Sequence, residues 1–156
     1  DWTRFALPFF FCAPLTTVFR ASATPAGLES FFEGGVCHGS RHRELVQPGD
    51  EYVFRYIQPF EPGRFLAVTE DERLSFSFGS MRVDVDFEAI DGGASVVLRQ
   101  SGIEDKVQSH MNCRFCWLYF MTNLQSVLEH GIDLRDHEHP DRTSTMGVGT
   151  RWRCRY

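Results

Sequence analysis

Several features of large protein classes are scarce or missing in this sequence. Lys106 is the only lysine, so arginine supplies nearly all of the 16 basic residues, and the formal charge is −5. The arginines are scattered from Arg4 to Arg155 and form no basic stripe. Because proteins that bind nucleic acids concentrate positive charge on one surface, the sequence argues against a nucleic-acid partner.

Long apolar segments are missing as well. Pro8 and Pro14 interrupt the longest apolar run, which falls short of the roughly 20 residues that a membrane-spanning helix needs. The start of the sequence has neither the basic region nor the cleavage motif of a secretory signal. The five cysteines are odd in number and too sparse for a disulfide scaffold. We therefore expect a cytoplasmic protein without a membrane span.

Phenylalanine is abundant, with 15 copies in 156 residues, and 42% of the chain is hydrophobic. This is enough apolar volume for one compact core. Residues 1–135 carry regular hydrophobic patterns and are predicted to form one domain. Residues 136–156 are charged, contain glycine and show no hydrophobic period, so they are predicted to form a polar C-terminal extension.

The first part of the chain predicts one strand followed by two short helices. Residues 3–12 are an apolar, aromatic run of strand length. Helical spacing of apolar side chains follows over residues 15–21. Thr24 and Pro25 have the types of a helix cap and a first helical residue, which predicts a second helix over residues 26–32. Gly34 and Gly35 are expected to end it.

Residues 36–102 combine short segments of strand length with turn signals at hairpin spacing. Within residues 81–89 a charged row alternates with an apolar row, Met81, Val83, Val85, Phe87 and Ala89. A period of two places one row on a buried face and the other in water. The pattern predicts an antiparallel meander with strands at residues 52–57, 64–69, 73–78, 81–90 and 94–101.

The last regular element is predicted to be a helix over residues 108–130. Its apolar residues recur at steps of three and four, and Gly131 supplies the stop signal. At about 1.5 Å per residue this helix would be roughly 33 Å long, enough to cross a sheet. The element order therefore predicts an α+β fold in which an antiparallel sheet packs on a long C-terminal helix.

In this order, several segments resemble the SRPBCC superfamily of START-like, helix-grip folds. More specifically, they resemble the family named for the activator of the heat-shock-protein-90 ATPase (activator of Hsp90 ATPase homologue-like), in its single-domain bacterial form. The segments are residues 12–14 (CAP), 24–32 (TPAGLESFF), 73–78 (RLSFSF), 96–102 (VVLRQSG), 116–117 (CW) and 123–135 (NLQSVLEHGIDLR).

The resemblance implies a curved antiparallel sheet of six to seven strands wrapped around the C-terminal helix, with two short helices after strand one. It also implies a cavity between sheet and helix, in which members of the superfamily bind lipids, sterols, polyketides or other apolar molecules. Some relatives catalyse cyclisation, dehydration or hydrolysis there. The fold alone does not select among these activities.

The alternation of the strands and the period of the helix give a set of inward-facing residues. They are predicted to bind an apolar ligand if they line a cavity, or to form a filled core if they pack together. Gln100 is the polar member, and its amide needs a partner or a ligand. The set is Phe76, Phe78, Val83, Val85, Phe87, Val96, Leu98, Gln100, Trp117, Phe120, Met121 and Leu124.

Metal and catalytic motifs are weak. His110, Cys113 and Cys116 share a helix face, but a structural zinc site needs four ligands and no second pair has a convincing spacing. We expect two buried thiols and neither a metal nor an organic cofactor. No nucleophile elbow or phosphate-binding glycine loop is present, and the catalytic residues, if any, are unknown. The tail motif at residues 137–139 (HEH) is expected to be solvated.

Three functions are compatible with the sequence, and the first of them is the one that we predict. The first is the binding of a small hydrophobic ligand, either lipid-like or polyketide-like, and the second is a chaperone-associated protein-interaction module. The third is a cavity enzyme of the cyclase, dehydratase or hydrolase type. A homodimer is compatible with each of them, and a chaperone partner belongs to the second.

Overall fold

The structure, a computed structural model, describes residues 1–32, 42, 44–53 and 62–139. The order of elements is the one predicted, an antiparallel meander between two short helices and a long one. The elements are β1 (Arg4–Phe11), α1 (Leu15–Ala23), α2 (Pro25–Phe31), β2 (Glu51–Val53), β3 (Pro62–Thr69), β4 (Arg73–Phe78), β5 (Met81–Ile90), β6 (Gly93–Ser101) and α3 (Val107–His130).

Within the described residues, six strands form one curved antiparallel sheet in the order β1-β6-β5-β4-β3-β2. The first strand therefore pairs with the last one, while the others follow each other as hairpins. β6 lies between β1 and β5; Leu98, for example, lies opposite both Leu7 of β1 and Val85 of β5. The α+β helix-grip prediction is confirmed.

The inner face of the sheet carries the predicted apolar row. Val83, Val85 and Phe87 are buried, but Ala89 is exposed although the alternation places it on the buried face. Ala89 lies opposite Ala94, which is fully buried, so near the turn that joins the two strands the core extends under β6 but not under β5. The row is therefore shorter at this end than the sequence predicts.

The outer face of the sheet is a network of ion pairs rather than a bare acidic row. Arg82 binds Asp84, while Arg73 and Arg99 both bind Asp86. Hydrogen bonds from Arg82 and Ser75 hold the pKa of Asp84 below its usual value. Partial burial acts to raise the pKa of Asp86, but the two arginines outweigh it and lower this pKa as well.

The predicted helix signals are present in the structure. The Oγ1 atom of Thr24 accepts a hydrogen bond from the backbone N–H of Gly27 at 3.0 Å, and Pro25 is the first residue of α2. Gly131 follows α3 with a φ of 68°, which a side chain would disfavour. These three positions fix where α2 begins and where α3 ends.

Side chains of α3 cover part of the free edge of β1. Gln125 Nε2 donates to Phe10 O at 3.3 Å, and Glu129 Oε1 accepts from Cys12 N at 2.7 Å. Pro8 has no backbone N–H to offer to another strand. Because an open edge is a template for pairing with other chains, these contacts protect the sheet against edge-to-edge association.

Some predictions fall outside the described residues. They concern the glycine pair at positions 34–35, the last part of the strand at 52–57, and most of the extension at 136–156. The division into a domain of residues 1–135 and an extension stays a prediction.

Candidate functional site

A small apolar cavity lies between the helices and the inner face of the sheet. Its volume is about 30 Å³. Residues from α1, α2, α3 and the strands β4, β5 and β6 contribute to its wall, and Ser22 is the polar member. The lining residues are Ser22, Leu28, Phe31, Phe32, Leu74, Phe76, Val85, Leu98, Trp117 and Met121.

Aromatic rings fill most of the space around this cavity. Phe32, which follows α2, stacks on Trp117 with a centroid distance of 5.3 Å and an interplanar angle of 16°. Phe120 meets the Phe32 ring edge-on, with a centroid distance of 5.1 Å. Phe76 and Phe78 approach Trp117 from the sheet at 5.8 and 5.4 Å. Among the described residues, the centre of the fold is therefore an aromatic cluster beside a small gap.

The residues predicted from the sequence divide into two groups. Phe76, Val85, Leu98, Trp117 and Met121 line the cavity. The others do not line it but are buried in the surrounding core, and they are Phe78, Val83, Phe87, Val96, Gln100, Phe120 and Leu124. The role of both groups in ligand binding stays a prediction.

Sequence reasoning missed the contribution of the short helices. Leu28, Phe31 and Phe32 supply one wall, and Ser22 of α1 adds a hydroxyl that donates to Val18 O at 3.0 Å. The spacing of Leu28, Phe31 and Phe32 marks an apolar face on α2, and this signal was available. Their position opposite Trp117 depends on how α2 packs on α3, which local spacing does not reveal. Leu74 was also missed, although it shares the parity of Phe76.

The amide of Gln100 has found its partner inside the protein. Gln100 is 1% exposed, and its Oε1 atom accepts a hydrogen bond from Trp117 Nε1 at 2.7 Å. Its Nε2 atom donates to the Sδ atom of Met81 at 2.9 Å. The buried amide thus orients the indole ring that forms one wall of the cavity.

The cysteines of α3 have the properties of packed apolar groups. Burial raises the pKa of the Cys113 thiol, despite a hydrogen bond with Gln100, and raises that of Cys116 further. A raised pKa keeps a thiol protonated and unreactive.

The third residue of the predicted helix face, His110, has a partner in the backbone: its Nδ1 atom is 3.0 Å from Trp2 O. The described part of the chain contains no group of three or more His, Cys, Asp or Glu side chains arranged to hold a metal ion.

A comparison with known protein families shows the family to which this chain belongs. Residues 12–129 match the family model described as "Activator of Hsp90 ATPase homolog 1-like protein". The chain belongs to this family. The match begins at the end of β1 and runs almost to the end of α3, so it includes all the elements that line the cavity.

Solved structures share the fold of this family member at low sequence identity. SSP2350 from Staphylococcus saprophyticus is 18% identical with a TM-score of 0.72, and the match covers 85% of this chain and 96% of that one. The Aha1 protein from Colwellia psychrerythraea, solved in solution as a dimer, is 15% identical with a TM-score of 0.69, covering 82% and 97%.

A third similar structure is DynU16, a protein of the dynemicin biosynthetic locus. It is 17% identical with a TM-score of 0.69, and the match covers 84% of this chain but only 49% of DynU16. No curated protein has a sequence significantly similar to that of this chain. At these identities the solved structures establish the fold alone, and not the ligand. None of the helices in the described residues has the length and hydropathy to cross a membrane.

Proposed function

We propose that this protein binds a small hydrophobic ligand, lipid-like or polyketide-like, between the sheet and α3. The observation that supports this most directly is the apolar cavity at the centre of the fold, whose wall contains a single hydroxyl, that of Ser22. Such a wall recognises apolar surface and offers few directional contacts. Binding would need neither a metal nor an organic cofactor.

The cavity must enlarge to hold such a ligand. A volume of about 30 Å³ admits a few water-sized atoms, whereas pockets for organic ligands begin at roughly 300 Å³. The stacked ring of Phe32 lines the cavity, so its displacement would enlarge the space beside Trp117. Losing aromatic pairs costs about 0.5–1.5 kcal/mol each. Burying about 300 Å² of apolar ligand surface at about 25 cal/mol per Å² contributes roughly 7 kcal/mol that offsets part of this cost.

Native mass spectrometry of the protein purified from its own host tests the proposal. A bound molecule is expected to appear as an added mass in the wild type. A panel of fatty acids and aromatic polyketides is then screened by thermal shift, and a ligand is expected to raise the melting temperature because it binds only the folded state.

Two variants of α1 locate the site. Ser22→Leu places additional carbon atoms in the cavity and is expected to abolish the shift. Thr17→Leu makes a similar change on the exposed side of the same helix and is expected to keep the shift. The proposal is wrong if nothing co-purifies and no panel member shifts the wild type, or if Ser22→Leu responds as the wild type does.

A second candidate is a chaperone-associated interaction module. The family description names an activator of the Hsp90 ATPase, and Leu118, Ile132 and Leu134 expose apolar surface on α3 and after it. The ATPase rate of a bacterial Hsp90, measured with and without the protein, distinguishes the two. A stimulation that Leu134→Glu removes, together with an empty ligand screen, would favour this candidate. The third function, a cavity enzyme, has no support here, because the described lining residues include no pair of acidic and basic side chains.

Assembly and location complete the proposal. The relative from Colwellia psychrerythraea is a dimer, and we expect a homodimer here, which light scattering after gel filtration checks. Cys12 is free and exposed, which suits the reducing cytoplasm.

A further inference from the structure

A buried polar cluster beside the cavity has no part in the binding described so far. Asn123 of α3 is fully buried. Its Nδ2 atom donates to Phe31 O at 2.9 Å and to Asp133 Oδ1 at 3.0 Å. Its Oδ1 atom accepts from the backbone N–H of Leu134 at 2.7 Å. One amide thus joins α3, the last residue of α2 and the segment that follows Gly131.

Arg135 makes a second connection to the same helix. Its side chain is 3% exposed and binds the Asp133 carboxylate, with Nη2 at 2.8 Å from Oδ2 and Nε at 2.9 Å from Oδ1. The Nη2 atom also donates to Glu29 O at 2.7 Å. Carbonyl groups in the last turn of a helix have no partner within the helix. Asn123 is the partner of Phe31 O, and Arg135 is the partner of Glu29 O, in the last turn of α2.

The helix held in this way is the one that covers the cavity. Leu28 and Phe31 of α2 and the adjoining Phe32 form one wall. A positive charge at the C-terminal end of a helix is also favoured by the helix dipole. Movement of this wall therefore requires the hydrogen bonds to Glu29 O and Phe31 O to break or to carry the segment after α3 with them.

We propose that Asn123, Asp133 and Arg135 form a latch that sets how fast the wall formed by α2 opens to admit and release a ligand. This inference rests on the proposed ligand-binding function. The ring of Phe32 moves aside for the ligand, whereas the backbone of α2 returns to its place and the latch re-forms, so the latch acts on the rates of binding rather than on the affinity. The three side chains are positioning residues, since none of them lines the cavity.

The test measures binding rates with the apolar fluorescent probe N-phenyl-1-naphthylamine by stopped flow. Asp133→Asn weakens the pairing with Arg135, and Arg135→Lys cannot form the two parallel hydrogen bonds of the guanidinium. In both variants the association and dissociation rates are expected to rise about tenfold, the factor that corresponds to about 1.4 kcal/mol. The equilibrium affinity is expected to change less than threefold. Arg135→Lys keeps the charge and serves if Asp133→Asn does not fold.

Leu7→Ala is the control for general destabilisation, because Leu7 is a buried residue of β1 outside the latch and the cavity wall. Hydrogen exchange of the α2 amides without any ligand gives a second readout. Exchange is expected to accelerate in the latch variants and to stay at the wild-type rate in Leu7→Ala.

The latch is disproved if α2 exchange or the probe rates stay at wild-type values in both latch variants. It is also disproved if Leu7→Ala accelerates binding equally. A wild type that binds neither the probe nor any panel member refutes the proposed function, and the latch falls with it.

Discussion

The buried hydrogen bond between Trp117 and Gln100 shows how much of a contact between single residues can be predicted from the sequence. The period of β6 predicts that Gln100 faces inward and needs a partner. The identity of that partner, Trp117, depends on the axial position of α3 relative to the sheet. That position results from packing between elements distant in sequence, so no local pattern encodes it.

Gln100→Leu is expected to destabilise the protein by about 1–3 kcal/mol, because it leaves the indole N–H of Trp117 buried without an acceptor. Urea denaturation followed by circular dichroism measures the change. In the double variant Gln100→Leu with Trp117→Phe, the orphaned donor is gone. The double-mutant cycle should therefore give a loss smaller than the sum of the single losses, and strict additivity would contradict the argument.

The Asp133 carboxylate makes the free energy of unfolding depend on pH. Burial acts to raise its pKa, but hydrogen bonds from Arg135, His137, the Arg135 backbone and Asn123 outweigh burial and lower the pKa well below its usual value. The folded state therefore favours the carboxylate. This contribution is complete above the unfolded pKa of about 3.9 and is lost as the pH falls through the folded value.

We expect Asp133→Asn to lower the free energy of unfolding at pH 7, and the deficit relative to the wild type to shrink as the pH falls below about 4. Urea titrations at pH 7, 5 and 3 check this. Two stability profiles that run parallel over that range would show that Asp133 is not linked to folding.

At the scale of elements, strands and helices could be predicted because each carries its own period or cap. The roles of α1 and α2 could not, because they come from a close approach between the two helices. A Cβ atom on Gly27 would lie 2.4 Å from the backbone oxygen of Ala21. Only glycine allows α2 to fold back on α1 at this distance, and this is how Leu28 and Phe31 reach the cavity.

Gly27→Ala is therefore expected to reverse the ordinary effect of this substitution. In an unconstrained helix it stabilises by about 1 kcal/mol, whereas here the backbone contact should give a net loss of about 1–3 kcal/mol. Thermal denaturation measures the sign. Ala26→Gly, one residue earlier, is the reference for helix propensity alone and should cost about 1 kcal/mol. A stabilised Gly27→Ala would disprove the close approach as a constraint.

For the whole molecule, the abundance of phenylalanine has a structural explanation. The rings of Phe32, Phe76 and Phe78 pack on Trp117, and Phe120 packs edge-on against Phe32, so aromatic rings occupy much of the space between sheet and helix. The sequence predicted that Phe76, Phe78 and Phe120 face inward but missed Phe32. A cavity that these rings line and a core that they fill differ by only tens of cubic ångströms. That difference is set by side-chain rotamers and by the distance between layers, which a hydrophobic pattern does not specify.

Two matched substitutions in β5 compare a residue that lines the cavity with a residue in the filled core. Val85 lines the cavity, while Val83 is fully buried outside it. Val85→Ile places one methyl group in the gap and is expected to stabilise by up to about 0.8 kcal/mol. Val83→Ile places it in packed core and is expected to cost about 1–3 kcal/mol. Urea denaturation compares the two. If Val85→Ile also destabilises, the gap cannot accept even a methyl group.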